Sequence, residues 1–308
     1  MVHRVRRSVY NPNALTRKSE FLFNLLLIVI ALSCVIPFLF VIVISLTDER
    51  VLIDNGYSFF PEKWSFSSYD YIFENGGLLL NSYFVSIVIT VVGTVLALIL
   101  TSMYAYALFR KQYKLRGFFT GVAVFTMLFS GGLVPYYVTM TQFLFLEDSI
   151  WALILPGTLS AFNIIIFRTF YSTTVHDALI ESAIIDGGGE FQIFTRIVMP
   201  LSLPGIATIG LFSAIGFWNE WFNALLFITD PKKVPIQYLL MKIQRQMDWI
   251  IKNNGRLGPL ESSEALANIP HESARMVLVV LIVLPIACAY PFFQRYFVQG
   301  LTIGAIKG

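Results

Sequence analysis

The stretch STTVHDALIESAIIDGGGEFQIFTRIVMP, residues 172–200, lies between two long apolar runs and differs from both in composition. It contains several charged side chains, three consecutive glycines and a final proline, whereas the runs at 150–171 and 201–228 carry almost no charge. A helix of about 20 apolar residues is long enough to cross the hydrocarbon core of a bilayer. The polar stretch is therefore predicted to connect two membrane spans.

Two short helices joined by a sharp turn are predicted within this stretch. Thr174 followed three residues later by Asp177 has the form of a capping box, so the first helix is predicted to begin there. Spacings of three and four residues place Val175, Leu179 and Ala183 on an apolar face. They place Asp177 and Glu181 on a polar one. The first helix is thus expected to be amphipathic.

Glycines 187–189 are expected to end this first helix, because glycine adopts the left-handed backbone of a helix end without a side-chain clash. A second short helix carrying Phe191, Phe194 and Ile197 is then expected before Pro200 opens the next span. On these residues alone, a pair of surface helices is the plain interpretation.

Six apolar runs, including the two above, are long enough to span a membrane in a chain that is 56% hydrophobic and 13% charged. Backbone polar groups inside lipid must be satisfied within the segment, which favours helices. The sequence predicts an all-α integral membrane domain, 21–308, behind an N-terminal tail, 1–20, from which no cleaved leader is expected. The predicted spans are 21–46, 82–109, 117–143, 150–171, 201–228 and 274–298.

Lysine and arginine beside short loops predict the orientation, because they concentrate on the cytoplasmic side. The tail is basic, and so is the connection between the second and third runs, whereas the connection after the third run contains Glu147 and Asp148. Both termini and residues 172–200 are therefore predicted to be cytoplasmic. The cations of the basic connection are Arg110, Lys111, Lys114 and Arg116.

Two long loops, 47–81 and 229–273, are then predicted to lie outside. The second carries several lysines and arginines, which argues against this orientation, but long loops influence topology less than short ones. The first is rich in aromatic residues, which fits an interfacial helix, a docking surface or an aromatic belt at the membrane interface.

Residues 172–200 also resemble the "EAA loop" of the binding-protein-dependent permeases of ATP-binding-cassette (ABC) importers. That motif reads Glu-Ala-Ala, three residues, Gly, nine residues, Ile, one residue, Leu-Pro. This sequence departs from it at two positions, where Ser182 replaces the first alanine and Met199 replaces leucine. The matching positions are Glu181, Ala183, Gly187, Ile197 and Pro200.

Further stretches resemble the carbohydrate branch of this class, which includes the smaller maltose permease subunit. Asp186 beside the motif glycine and PLSLPGIATIGLF at 200–212 are similar to that branch. FSGGLVPYYV at 129–138, the run from 151 to 171 and GFWNEWFNAL at 216–225 look like the permeases for complex oligosaccharides.

The resemblance implies a type I ABC importer transmembrane domain in the bacterial cytoplasmic membrane. Its loop would be a coupling helix seated in a groove of a cytoplasmic ATPase. The implied partners are a second, homologous permease subunit, two ATPase copies, an external solute-binding protein and a sugar or oligosaccharide, with no nucleic acid. The residues expected to couple to the ATPase are Asp177, Glu181, Ser182, Ala183, Asp186, Gly187, Ile197 and Pro200.

ATP and magnesium are expected on the partner ATPase, with no cofactor bound by this chain. The sequence contains no G-x-x-x-x-G-K-[ST] phosphate loop and no H-E-x-x-H or G-x-S-x-G motif, so no catalytic or metal site is predicted. Cys34 and Cys288 lie in apolar runs and are expected to be buried as small hydrophobic side chains.

Polar and aromatic residues within the predicted spans are candidates for the solute path. Sugars bind by stacking on aromatic rings with hydrogen bonds from amides and carboxylates around them. Interfacial tryptophans and asparagines that join helices are the ordinary alternative. The candidates are Trp218, Asn219, Glu220, Trp221, Asn223, Tyr136, Tyr137 and Asn163.

Gly131, Gly132 and Pro135 form a helix-breaking composition in the third span, which fits either a hinge or the tight packing of small residues.

Two other functions remain open on the sequence. One is an ABC importer permease for a different solute, such as a peptide, an amino acid or a metal ion. The other is a secondary transporter driven by an ion gradient, which usually needs ionisable residues deep in several spans. The first four runs here contain almost none.

Overall fold

The computed structural model describes residues 17–74, 76–253 and 271–305, and within these ranges the chain is helical apart from its connections and one isolated bridge between Thr47 and Trp64. This confirms the predicted all-α class. Residues 1–16 of the predicted tail and 254–270 of the second outer loop lie outside the described residues. The helices are α1 (Arg17–Ser45), α2 (Glu49–Asn55), α3 (Ser67–Glu74), α4 (Gly76–Phe109), α5 (Arg116–Leu128), α6 (Leu133–Val138), α7 (Trp151–Ile154), α8 (Ala161–Thr174), α9 (Asp177–Ile185), α10 (Glu190–Ile193), α11 (Met199–Leu201), α12 (Leu203–Trp218), α13 (Phe222–Phe227), α14 (Ile236–Asn253) and α15 (His271–Ala305).

Three helices in the described part of the chain are long and apolar enough to cross a membrane without a break. They are α1, α4 and the segment Glu272–Ala289 of α15, with mean hydropathies of 3.2, 2.6 and 2.0. These three correspond to the first, second and sixth predicted spans.

The third, fourth and fifth predicted spans are bent pairs of helices. Helix α5 is followed after a bend of 116° by α6 and a π-turn at Thr139–Phe143, and α7 with its 3₁₀ turn meets α8 at 45°. The segment Glu190–Leu201 meets α12 at 82°. The described residues therefore contain six spans if each pair crosses once, and three by unbroken length.

The predicted start of the fifth span at 201 lies within two residues of the start of α12, but its predicted end at 228 was wrong. Its straight part, α12, begins at Leu203 and ends at Trp218, ten residues short of the predicted end at 228. Pro200 lies in the helical turn before the bend rather than at the start of the span. The polar residues Asn219 and Glu220 follow Trp218 directly, but they were interpreted as part of a solute path within one continuous span.

The predicted break in the third span is confirmed. Helix α5 ends at Leu128 and α6 begins at Leu133, with Gly132 between them at φ 86°. That backbone conformation is strained for residues with a side chain, so glycine is favoured at this position, the N-cap of α6.

The chain falls into two compact units, whose described parts are 17–68 with 271–280, and 69–74 and 76–253 with 281–305. In the first unit the Glu49 carboxylate accepts the backbone N–H groups of Glu272 and Ser273, at 2.9 and 3.0 Å. A carboxylate at a helix N-terminus satisfies free N–H groups and complements the helix dipole, so Glu49 fixes the start of α15.

Helix α1 is exposed along nearly all of its length in the isolated chain; Phe21, for example, is 69% exposed. Cys34 in α1 and Cys288 in α15 are also exposed, so the expectation that both cysteines are buried was wrong. Apolar side chains that face lipid or another subunit look the same in a hydropathy pattern as side chains that face a core.

In the second unit α4 packs along α8 and α12. The packing is close where α4 and α12 meet, since a Cβ added to Gly93 would lie 2.7 Å from the ring of Phe217. The ends of these helices nearest to residues 172–200 form the core on which that stretch rests, as described next.

Candidate functional site

Residues 172–200 contain the predicted helix pair. We call this pair the lever and define it as residues 177–193, which comprise α9, the glycine turn and α10. The predicted capping box was wrong, because α8 continues through Thr174 and holds it in helical conformation. An N-cap needs an extended backbone. His176 has it, at φ −77° and ψ 138°, and α9 begins at Asp177.

The glycine turn follows the expected geometry. Gly187 adopts φ 83°, its N–H donates to the carbonyl of Ile184 at 3.0 Å, and the N–H of Gly188 donates to that of Ala183 at 2.8 Å. These two bonds form a Schellman motif, which closes a helix through a left-handed residue. The predicted role of Gly187 in ending the first helix is confirmed.

The inner side of the lever is apolar and buried. Ile180 of α9 is 3% exposed and Ile193 of α10 is 1% exposed, and both belong to a cluster with Phe167 and Tyr171 of α8. Of the predicted apolar face, Val175 is buried, but Leu179 is 44% exposed and Ile180 is buried in its place. Spacing alone did not distinguish Leu179 from Ile180, since both lie in apolar rows of the same helix.

One ion pair ties the lever to the end of α4. Arg110, directly after α4, donates from Nε to Glu190 Oε2 at 3.0 Å and from Nη2 to Oε1 at 2.6 Å. Tyr106 Oη donates to the same carboxylate at 2.5 Å. The guanidinium is nearly buried, and its Nη2 also donates to Gln112 Oε1 at 2.5 Å. Two parallel bonds to one carboxylate fix the orientation of both side chains.

A second ion pair lies beside the first. Lys111 Nζ lies 2.5 Å from Asp177 Oδ2, with both side chains largely exposed. The hydrogen bond and the charge of Lys111 lower the pKa of Asp177 below its usual 3.8, so this carboxylate is ionised at neutral pH.

The outer side of the lever carries most of the predicted coupling residues. Glu181, Ser182, Asp186 and Gly187 are exposed, and the Glu181 side chain forms no ion pair or hydrogen bond with any residue that the structure describes. Exposed apolar side chains flank the turn, with Ile185 at 85% and Phe191 at 74%. Of the remaining predicted residues, Asp177 and Pro200 are exposed, and Ala183 and Ile197 are half-buried.

Four of the solute-path candidates lie together. Tyr136 Oη donates to Asn223 Oδ1 at 2.7 Å, and Asn223 donates from N and Nδ2 to the Glu220 carboxylate at 2.9 and 3.0 Å. The ring of Tyr137 stacks on Phe227 at 5.6 Å, and the ring of Tyr136 meets the same phenylalanine edge-on. This arrangement places a carboxylate, an amide and aromatic rings in one cluster.

The other candidates lie apart from that cluster in their contacts. Trp218 is 6% exposed, 6.3 Å from the Tyr83 ring between centroids, and lines an apolar groove with residues of α4 and α15. Asn219 accepts a bond from Gln237 at 3.0 Å, and Trp221 packs edge-on against the next phenylalanine. Asn163 is half-buried without a hydrogen-bond partner among the described residues.

Sequence reasoning missed Tyr106, Arg110, Glu190 and Phe227 as parts of these sites. Arg110 was interpreted only as a marker of topology. A signal was present, because an acid at the start of a predicted helix and a cation at the end of another are complementary to the two helix dipoles.

In the described ranges no group of three His, Cys, Asp or Glu side chains is placed to hold a metal ion.

Comparisons with known proteins agree with the resemblance found in the sequence, although no family model matches. The chain is 38% identical over 92% of its length to the polygalacturonan/rhamnogalacturonan transport system permease protein YtcP of Bacillus subtilis, of which 96% is covered. It is 29% identical over 91% of its length to the arabinooligosaccharides transport system permease protein AraQ of Halalkalibacterium halodurans, with 93% of that protein covered.

A solved structure shares the fold. It belongs to a bacterial ABC transporter involved in the import of the acidic polysaccharide alginate, and one of its chains superposes with a TM-score of 0.76 at 27% identity. The match covers 92% of this chain and 99% of that one.

Proposed function

Because this chain belongs to the permease subunits of carbohydrate ABC importers, we propose that it carries a sugar or oligosaccharide across the bacterial cytoplasmic membrane. It is a multi-pass membrane protein and a transport subunit rather than an enzyme. The solute reaches it from an external solute-binding protein, and the translocation path lies between this chain and a second, homologous permease.

The energy comes from ATP hydrolysed, with magnesium, on two copies of a cytoplasmic ATPase, and this chain binds no nucleotide. The observation that carries this proposal is the lever, a two-helix projection with a buried inner side and an outer side whose Glu181 has no partner within the described residues. An exposed carboxylate beside small residues suits close contact with a cationic side chain of another subunit. ATPase closure then moves the lever and the spans behind it.

This role requires the lever to face the cytoplasm, together with both termini. The cations Arg110, Lys111 and Lys114 support that orientation, because they lie in the short connection next to the lever.

The cluster of Tyr136, Glu220 and Asn223 is our candidate for direct contact with the solute. Its rings offer stacking surfaces, and its carboxylate and amide offer hydrogen bonds to hydroxyl groups. Its members satisfy one another in this structure, so a bound sugar would have to exchange for these bonds.

The test is transport by the assembled complex in proteoliposomes, with partners taken from the genes beside this one. We expect uptake of an oligosaccharide to require ATP, the ATPase and the binding protein, and Gly187→Val to leave ATP hydrolysis without uptake or to release the ATPase. Uptake driven by an ion gradient alone would contradict the proposal, as would full transport by Gly187→Val. Normal uptake by Glu220→Ala and Asn223→Ala would remove these residues from the solute path.

A further inference from the structure

Two consecutive cations at the end of α4 each bind the first residue of a lever helix. Arg110 pairs with Glu190, which begins α10, and Lys111 pairs with Asp177, which begins α9. The electrostatics of all three helices favour this arrangement, since cations are stabilised at a helix C-terminus and anions at an N-terminus. The end of α4 is thereby tied to the lever on both sides of the glycine turn.

Topology alone does not account for these contacts. A cation that only marks the cytoplasmic side needs to lie in water near the membrane. Arg110 instead keeps only 10% of its side chain exposed and makes four hydrogen bonds from its backbone and guanidinium groups to Tyr106, Gln112 and Glu190. Lys114, four residues along, is exposed and has no ion pair within the described residues.

Helix α4 needs such a tie because it is remote from the lever in sequence. Helix α8 leads into the lever and the segment after α10 leads into α12. Both helices are therefore connected to the lever through the backbone and move with it. Helix α4 ends at Phe109. Besides the two ion pairs, it contacts the lever through the Tyr106 hydroxyl on Glu190 and packs the Tyr106 ring against Phe194, directly after α10. Apolar packing is non-directional, whereas a bidentate ion pair fixes position.

The opposite end of α4 is bonded to the outer loop. Asn81 Nδ2 donates to the carbonyl of Lys232 at 2.7 Å, and the Ile236 N–H donates to Ser86 Oγ at 2.8 Å. Between these ends α4 is one unbroken helix of 34 residues, which at 1.5 Å per residue is about 51 Å long. One rigid element thus contacts the lever on one side and the outer segment at Lys232 to Ile236 on the other.

We propose that Arg110 and Lys111 form a clamp that makes α4 move with the lever, so that α4 carries the lever's movement across the membrane to the outer loop. This inference rests on the proposed function, because it assigns the force path of that same loop. Arg110 and Lys111 are positioning residues, since neither has to touch the ATPase or the solute.

The test uses the assembled complex in proteoliposomes and counts solute molecules imported per ATP hydrolysed. For Arg110→Gln combined with Lys111→Gln we expect this ratio to fall about tenfold, as befits the loss of charge-assisted bonds at two points, while the ATPase still copurifies and hydrolyses ATP. Arg110→Lys keeps the charge but loses the paired bonds, so its ratio should be intermediate. Lys114→Gln is the matched control and should keep the unsubstituted ratio, because it removes a cation of the same connection without touching the clamp.

A second measurement follows the outer end of α4. A spin label at Leu80, which is 67% exposed, should change its signal when ATP and vanadate trap the unsubstituted complex and should not change it in the double variant. Cys34 and Cys288 are first replaced by serine. The clamp would be overturned by a full transport ratio in the assembled double variant, or by a Leu80 signal that changes on trapping in that variant as it does in the unsubstituted complex. If that variant does not assemble, full coupling in Arg110→Lys overturns it instead. If the unsubstituted complex imported no solute at the expense of ATP, the proposed function itself would be contradicted.

Discussion

Arg110 and Glu190 form one ion pair but differ in their exposure, with 10% of the arginine side chain and 59% of the glutamate side chain open to solvent. Loss of the glutamate leaves a buried cation, whereas loss of the arginine leaves a carboxylate that water can hydrate. An unpaired buried charge costs more than a solvated one. Loss of Glu190 should therefore destabilise the fold more than loss of Arg110, although either loss breaks the clamp equally.

We accordingly expect Glu190→Gln to destabilise the complex more than Arg110→Gln does, by roughly 1–3 kcal/mol, the range for a buried polar group that loses its partner. The measurement is thermal unfolding of each variant complex in the same detergent. Equal melting temperatures for the two variants would show that water reaches the guanidinium as readily as the carboxylate.

Gly187 and Gly189 differ in backbone conformation within one turn. An alanine at Gly187 would have open space around its Cβ but would hold φ at 83°, which costs about 1–2 kcal/mol for a residue with a side chain. Gly189 has φ −76° and ψ 161° at the N-cap of α10, where serine is favourable. We expect Gly187→Ala to lower the melting temperature, Gly187→Asn to lower it less, and Gly189→Ser to leave it unchanged or raise it. A destabilised Gly189→Ser would mean that the turn tolerates no side chain, whatever its φ.

At the scale of elements, a proline within α15 leaves one helical hydrogen bond unmade, and the neighbouring helix α4 supplies a replacement. Pro285 has no N–H, so the carbonyl of Leu281 lacks its usual helical donor. Tyr83 of α4 donates its hydroxyl to that carbonyl at 2.5 Å. Within lipid an unsatisfied carbonyl is costly, and a neighbouring helix commonly supplies the missing bond.

A double-mutant cycle tests this pairing. Tyr83→Phe should destabilise the complex by about 1 kcal/mol, because it leaves the Leu281 carbonyl without a donor. Pro285→Ala restores the helical N–H, and in that background Tyr83→Phe should cost much less. Equal costs of Tyr83→Phe in both backgrounds would show that the hydroxyl stabilises the helix pair in some other way.

The elements that could be predicted were those with one uniform property along their length. The runs that became α1 and α4 are apolar throughout, and their helices begin and end within six residues of the predicted limits. The lever was predictable because charge, glycine and proline interrupt the hydropathy there. Its start was missed because the capping pattern at Thr174 competes with the continuation of α8, which packing decides. The break after Trp218 was missed although Asn219 and Glu220 interrupt the apolar run there, because both were interpreted as solute-path residues inside one continuous span.

The residues of the candidate site also fall into those that a local pattern could predict and those that it could not. Gly187 was predictable because a local backbone requirement selects glycine. Arg110 and Glu190 are 80 residues apart, and no short-range pattern pairs them. Trp218 and Asn223 were grouped because they are near in sequence. The helix is interrupted between them, at 219–221, and the two side chains have different contacts.

At the scale of the whole molecule, the number of crossings depends on the bent helix pairs. The sharpest bend, 116° between α5 and α6, is compatible with a broken span or with a loop that returns to the side it came from. The two arrangements place everything after Phe143 on opposite sides of the membrane. The proposed function requires the first, because only then does the lever lie on the same side as the basic connection before α5.

Accessibility to a membrane-impermeant thiol reagent decides between these arrangements in intact cells. With Cys34 and Cys288 replaced by serine, single cysteines at Phe60 and Glu147 should react from outside, and single cysteines at Lys114 and Ile185 should react only after permeabilisation; all four positions are exposed in the isolated chain. If α5 and α6 returned to the same side, Glu147 would behave like Lys114 while Ile185 became accessible from outside. Lys114 and Phe60 precede the sharp bend and fix the orientation of the first two spans. The pattern at Glu147 and Ile185 then reports the crossing alone, and a lever labelled from outside would leave no face for a cytoplasmic ATPase to bind.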